Sequence, residues 1–131
     1  NPTMRSIKGS VNIHFDVVGQ PLDSIQIDLQ QPLEIYNVNF ITYDGYLFKA
    51  DLVKDLRREG NVWWLKYPFS RQATDTTPGR YRLAIWYEGV PKIAKHPPWD
   101  GGLVWVKDAE GRPWTAVACQ GTGASSWWPC K

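Results

Sequence analysis

The segment CQGTGASSWWPCK, from Cys119 to Lys131, gathers two thiols, three hydroxyls, an amide and a Gly-x-Gly turn into one stretch. Gly121-x-Gly123-x-x-Ser126 after an apolar run has the outline of a phosphate-cradling loop. Such a loop needs a helix whose first amides face the phosphate, and Pro129 stops any helix here. No second parallel strand or ribose-binding acid follows it. Cys119, Ser125 or Ser126 together with His96 would make a nucleophile and a base. The chain has no Gly-x-Ser-x-Gly elbow, however, and nothing in view orients the base. Buried thiols and loop hydroxyls are the plainer reading. Metal binding has no better footing, because His14 and His96 are far apart and Cys119 and Cys130 lack the close spacing of structural zinc ligands.

These groups must be positioned by strands. In GSVNIHFDVV, Val11, Ile13, Phe15 and Val17 alternate with Asn12, His14 and Asp16, the period of a half-buried strand, with His14 on its solvent side. Ile25, Ile27 and Leu29 alternate in the same way with Gln26, Asp28 and Gln30, after the turn residues Gly19-Gln20-Pro21. Asp44-Gly45 falls between two β-prone runs and predicts a hairpin, with the positive φ angles of a type I′ turn. In VWWLKYPF, Trp63, Leu65 and Tyr67 share one face and Trp64 the other. Pro78-Gly79 introduces a strand with Tyr81, Leu83, Ile85 and Tyr87 on one face and Trp86 opposite. LVWVK and PWTAVAC flank Asp108-Ala109-Glu110-Gly111, a second hairpin whose glycine suits a left-handed position after a type I turn. Only VKDLRRE has helical character, and it is too short to hold a helix alone.

Short strands punctuated by Gly and Pro predict an all-β fold: curved antiparallel sheets, saddle-like or sandwich-like. At 131 residues the chain is one domain's worth. Its net charge is only +2 and its basic residues are scattered, so nucleic acid and acidic membranes are poor partners. No apolar run approaches the roughly 20 residues that span a bilayer. Two cysteines leave the compartment open between cytoplasm and export. Eight tryptophans and six tyrosines exceed what a minimal core requires. Half of the VWWLKYPF cluster is accounted for as core, and the remaining aromatics suit either a sugar-stacking platform or packing against another domain.

The succession KGSVNIHFDVV, DSIQIDLQ, PGRYRLAIWYEG, PPWDGGLVW and PWTAVACQGTGASSWWPCK resembles the N-terminal domain of zinc-dependent aminopeptidases of the aminopeptidase N and leukotriene hydrolase type, in a bacterial branch. The tail is the most specific part. In that family a strand ends in a Gln or Glu that projects into the active-site cleft, followed by an aromatic-Pro-Cys turn; Gln120 and Trp128-Pro129-Cys130 stand in those places. Relatives often carry Arg before that turn, where this chain has Ser125 and Ser126, so the anchoring of the loop must differ.

The resemblance implies that Gln120 helps to recognise the free α-ammonium of a peptide, a neutral acceptor for a cation stripped of water. Gly121 and Gly123 would let the backbone bend sharply beside the substrate or the adjoining domain. It also implies a downstream catalytic domain as partner, peptides with a free amino terminus as substrates, and zinc in that domain. The His-Glu-x-x-His and Gly-x-Met-Glu-Asn motifs of the catalytic domain do not occur in these residues, so residues 1–131 are expected to be non-catalytic by themselves, needing no cofactor. They are read as a single β domain trimmed at both ends. The alternative is a stand-alone β-sandwich module that binds carbohydrate or protein through exposed Trp and Tyr.

Overall fold

A computed structural model describes residues 1–18, 23–68 and 79–131. The architecture is all-β and antiparallel, with sheets that do not close into a barrel. The alternating segments become β1 (Ile7–Val17), β2 (Ser24–Asp28), β3 (Glu34–Thr42), β4 (Leu47–Lys49), β5 (Leu56–Glu59), β6 (Val62–Lys66), β7 (Gly79–Gly89), β8 (Gly102–Lys107) and β9 (Pro113–Ala118). β1, β7, β3 and β4 lie side by side in that order, β2, β6 and β5 form a second sheet, and β8 and β9 form a ribbon of their own. The expected turns at Gly19-Gln20-Pro21 and at Pro78 lie outside the described residues.

Burial follows the alternation. Val38, Phe40, Leu83, Ile85 and Tyr87 from the first sheet meet Ile27, Trp63, Leu65 and Tyr67 from the second in one core. Trp64 turns outward, and its indole nitrogen donates to Glu59 Oε2 at 3.1 Å. Aromatic rings connect the two layers: Phe40 meets Tyr67 edge-on at 6.0 Å, Tyr67 meets Tyr81 at 5.6 Å, and Tyr81 stacks on Phe15 at 5.6 Å.

Two local expectations are corrected. The first hairpin forms at Asp44-Gly45, but the turn is not type I′, because Gly45 alone takes a positive φ, +88°. The Gly45 amide donates to the Thr42 carbonyl at 3.0 Å and the Thr42 amide to the Tyr46 carbonyl at 2.9 Å. The Thr42 side chain, bonded to Asp44, stabilises this longer loop. The segment with helical character becomes a single turn at Asp51–Asp55 and then β5. There Leu56 and Arg58 alternate inward, with the Arg58 guanidinium 4.7 Å from the Trp63 ring centre and paired with Glu34. Cross-strand contact with β6 outweighs a helix that its few residues could not sustain. The second hairpin matches expectation: Gly111 has φ +80° and its amide donates to the Asp108 carbonyl at 3.0 Å.

Candidate functional site

The PPWDGG run and the turn after β9 meet in space. Residues 90–101 run irregularly from β7 to β8, and β9 delivers the chain into the tail. Asp100 organises the irregular run, its carboxylate accepting the amides of Lys95 at 2.6 Å and His96 at 2.7 Å. Partial desolvation works against this carboxylate's ionisation, but hydrogen bonds from the amides of Lys95, His96 and Asp100 itself, with the nearby His96, outweigh it and hold its pKa below the ordinary value. Gly101 then lies flat against the turn after β9: a Cβ there would fall 2.1 Å from Thr122 Oγ1 and 2.9 Å from the Gln120 carbonyl oxygen. PPWDGG therefore acts as a buttress for the Gln120 turn.

Gln120 lies two residues beyond the end of β9 and is exposed. Its carbonyl accepts the Thr122 amide at 2.9 Å, while among the described residues its side-chain amide has no hydrogen-bond partner. The main chain is thus fixed and the amide head is free to meet a ligand. Gly121 and Gly123 take φ of +77° and +62° with open space around them, so the backbone reverses there without a steric penalty. Gly123–Ser126 forms one 3-10 turn, and the antiparallel ribbon before it has no βαβ connection of the kind that makes a phosphate site.

Ser125 and Ser126 are buried. Their hydroxyls donate to the carbonyls of Thr122 at 2.7 Å and Gly123 at 2.8 Å, which leaves neither as a nucleophile. Ser125 also anchors this loop to the segment after β2. Its Oγ accepts from Gln30 Nε2 at 2.9 Å, and its carbonyl accepts the Gln30 amide at 2.8 Å. Cys130 exchanges two backbone hydrogen bonds with Asp28, at 2.8 and 3.1 Å, tying the tail to β2. Cys119 and Cys130 are unpaired thiols. Burial pushes the Cys130 thiol pKa upward, Asp28 adding to this and Lys131 opposing it, which makes it a poor nucleophile.

The same third of the molecule carries exposed apolar side chains. Trp99 is 75% exposed and Trp114 59%, with Val90, Ile93, Val106, Val117 and Trp128 also open. Val106 and Trp114 oppose each other on one face of the β8–β9 ribbon and are both exposed, while on the other face Leu103 is buried and its partner Val117 is open. Trp127 and Trp128 stack at 4.3 Å between ring centres.

The ribbon's tip depends on one charge. Asp108 accepts the amides of Glu110 at 3.0 Å and Arg112 at 2.8 Å and pairs with the Arg112 guanidinium at 2.7 Å. The Arg112 amide bond, the largest of these influences, holds the Asp108 pKa below the ordinary 3.8. A lowered folded-state pKa means that this stabilisation is complete above pH 3.8 and is lost as pH falls through the folded value. In an NMR titration, the Arg112 amide of the native protein should shift with a midpoint below 3.8. A midpoint at or above 3.8 would contradict the assignment.

Zinc, which the resemblance assigns to another domain, finds no fit among the described residues, where no group of three or more His, Cys, Asp or Glu is gathered. Sequence reasoning singled out Gln120, Gly121 and Gly123, and the structure brings them together on one turn. It missed Gln30, Asp100 and Gly101, which position that turn; the Asp-Gly-Gly run was the only local signal of the last two. Compared with known proteins, the chain matches no family model and no curated sequence.

Proposed function

We propose that this chain is the non-catalytic N-terminal β domain of a zinc aminopeptidase, which presents Gln120 to the free amino terminus of a peptide and packs against the catalytic domain. The observation that carries the reading is a solvent-facing Gln120 side chain on a turn buttressed by Gly101 and anchored through Gln30 and Ser125. Gln Oε1 would accept a hydrogen bond from the α-ammonium without adding a charge, and a buttressed turn limits the entropy lost on binding. Apolar surface on the adjoining ribbon supports the second half of the proposal, because patches of this kind mark contact with another domain.

In the full-length protein, Gln120→Ala should lower kcat/KM for aminoacyl reporter substrates by about 10- to 100-fold, as expected for a hydrogen bond to a charged group. The preference for free over acetylated amino termini should shrink with it. Unchanged discrimination would remove Gln120 from this role.

One observation favours the alternative of a glycan-binding module. On the outer face of the first sheet, Trp86 stands between Ser10 and Asn37, and the next row is Asn12, Ala84 and Asn39. An indole among amides is a surface on which a sugar can stack and form hydrogen bonds. Saturable quenching of tryptophan fluorescence by a sugar, abolished by Trp86→Ala, would favour that module over the peptidase domain.

A further inference from the structure

A groove of about 650 Å³ opens at the end of the first sheet, distant in sequence from Gln120 and independent of the aminopeptidase reading. Its described lining comes from β1, β7 and the β3–β4 hairpin. Register fixes its chemistry. His14 stands opposite Arg82, and Arg82 opposite Ile41, so the three form one row across β1, β7 and β3 on the outer face. Residues directly opposed on antiparallel strands point to the same side, with Cβ atoms about 5 Å apart. The next row pairs Asp16 with Arg80, whose charges meet at 3.7 Å.

Among the described residues that line the groove, two arginines, Arg80 and Arg82, stand against one carboxylate, Asp16. Asp16 is met by Arg80, while Asp44 on the neighbouring hairpin, outside the lining, keeps its charge and is held by the Thr42 hydroxyl. Among the described residues Arg82 has no carboxylate partner, so one exposed, unpaired guanidinium faces the groove beside the His14 imidazole. Beside them Ile41 supplies an apolar wall, and Tyr43, 85% exposed, places a ring at the rim. We propose that this groove binds a small organic anion, an oxyanion group joined to a flat apolar body, with Arg82 and His14 holding the charge and Tyr43 and Ile41 the body. A guanidinium offers a planar fork of donors that matches the oxygens of a carboxylate or a phosphate ester. Aromatic and aliphatic walls with a few placed polar groups are the usual make-up of small-molecule sites.

Phenyl phosphate, benzoate and inorganic phosphate titrated separately into the protein, followed by NMR, test the proposal and distinguish phosphate from carboxylate. Saturable shifts at His14 and Arg82 are expected with phenyl phosphate or benzoate, and weaker binding of inorganic phosphate, which lacks the body. Arg82→Gln should weaken binding roughly 10- to 100-fold, and Tyr43→Ser should reduce affinity for the aryl anion while leaving inorganic phosphate unchanged. Arg57→Gln, which removes an equal charge from the other sheet, serves as the control and should have no effect. The same spectra report whether each variant keeps its fold, and Arg82→Lys, retaining charge without the fork, should bind with intermediate affinity. The proposal is overturned if neither aryl anion saturates, or if Arg57→Gln weakens binding as much as Arg82→Gln.

Discussion

Gly102→Ala is expected to lower the unfolding free energy by about 3–5 kcal/mol, combining the strain of a left-handed alanine with a backbone clash. Gly102 has φ +148°, and a Cβ on it would fall 2.6 Å from the Lys92 carbonyl oxygen and 2.7 Å from the Ala94 nitrogen. Those atoms cannot rotate aside, because they take part in the short pairing that starts β8. The Leu103 amide donates to the Lys92 carbonyl at 2.8 Å, and the Ala94 amide donates to the Leu103 carbonyl at 3.1 Å. Moving them loosens the irregular run that ends at Asp100 and Gly101, so the Gln120 turn should become mobile as well. Urea denaturation measures the first effect, and amide chemical shifts at Gln120 and Thr122 the second. Gly111→Ala separates strain from clash: φ there is +80° but nothing lies within 4 Å of the added methyl, so the loss should be nearer 1–2 kcal/mol. Equal losses at the two positions would show that the clash at Gly102 relaxes away.

Phe40→Ala should destabilise the domain by about 3–5 kcal/mol, the range for emptying a buried aromatic site. Phe40 is fully buried on β3 between the two sheets, with Phe48 6.4 Å and Tyr67 6.0 Å from its ring centre. Because Tyr67 in turn meets Tyr81, and Tyr81 stacks on Phe15, the cavity would remove support from a row of rings linking β1, β7 and β3 to Tyr67, the residue that follows β6. Total stabilities of single domains are about 5–15 kcal/mol, so the melting temperature should fall steeply and the near-ultraviolet aromatic circular dichroism should weaken. Phe40→Leu refills most of the volume and should cost roughly half as much. A Phe40→Ala protein that melts within a few degrees of the parent would mean that the sheets collapse onto the gap.

The contrast between β6 and β5 shows how much of the fold was legible in the sequence. In β6 the alternation of Trp63, Trp64 and Leu65 is strong enough that the inward and outward faces follow from local pattern, and burial agrees residue by residue. In β5 the residues Leu56, Arg57, Arg58 and Glu59 favour no strand by themselves. They form one because β6 offers an edge and Trp63 offers a ring face to Arg58. The Asp44-Gly45 turn lies between these cases: the hairpin was legible, but its loop length depended on a side chain, that of Thr42, hydrogen-bonding across the turn.

The candidate site divides along the same line. Gln120, Gly121 and Gly123 stood out in sequence because an amide and two glycines follow an apolar strand. Their support did not, since Gln30 lies 95 residues from Ser125 in the chain and nothing in either segment announces the other. The groove lay hidden for the same reason: His14 and Arg82 become neighbours only through the register of β1 on β7.

Period-two alternation and the placement of Gly and Pro determined by themselves that the chain is all-β and, in strands such as β1 and β6, which side chains face the core, because these depend on the geometry of a few adjacent residues. The tertiary structure alone decided the order of strands in the sheets, the anchoring of the Gln120 turn and the placing of His14 beside Arg82 in the groove. These arise from pairings between distant segments, whose energies are summed over the whole core and leave no mark in any short stretch of sequence.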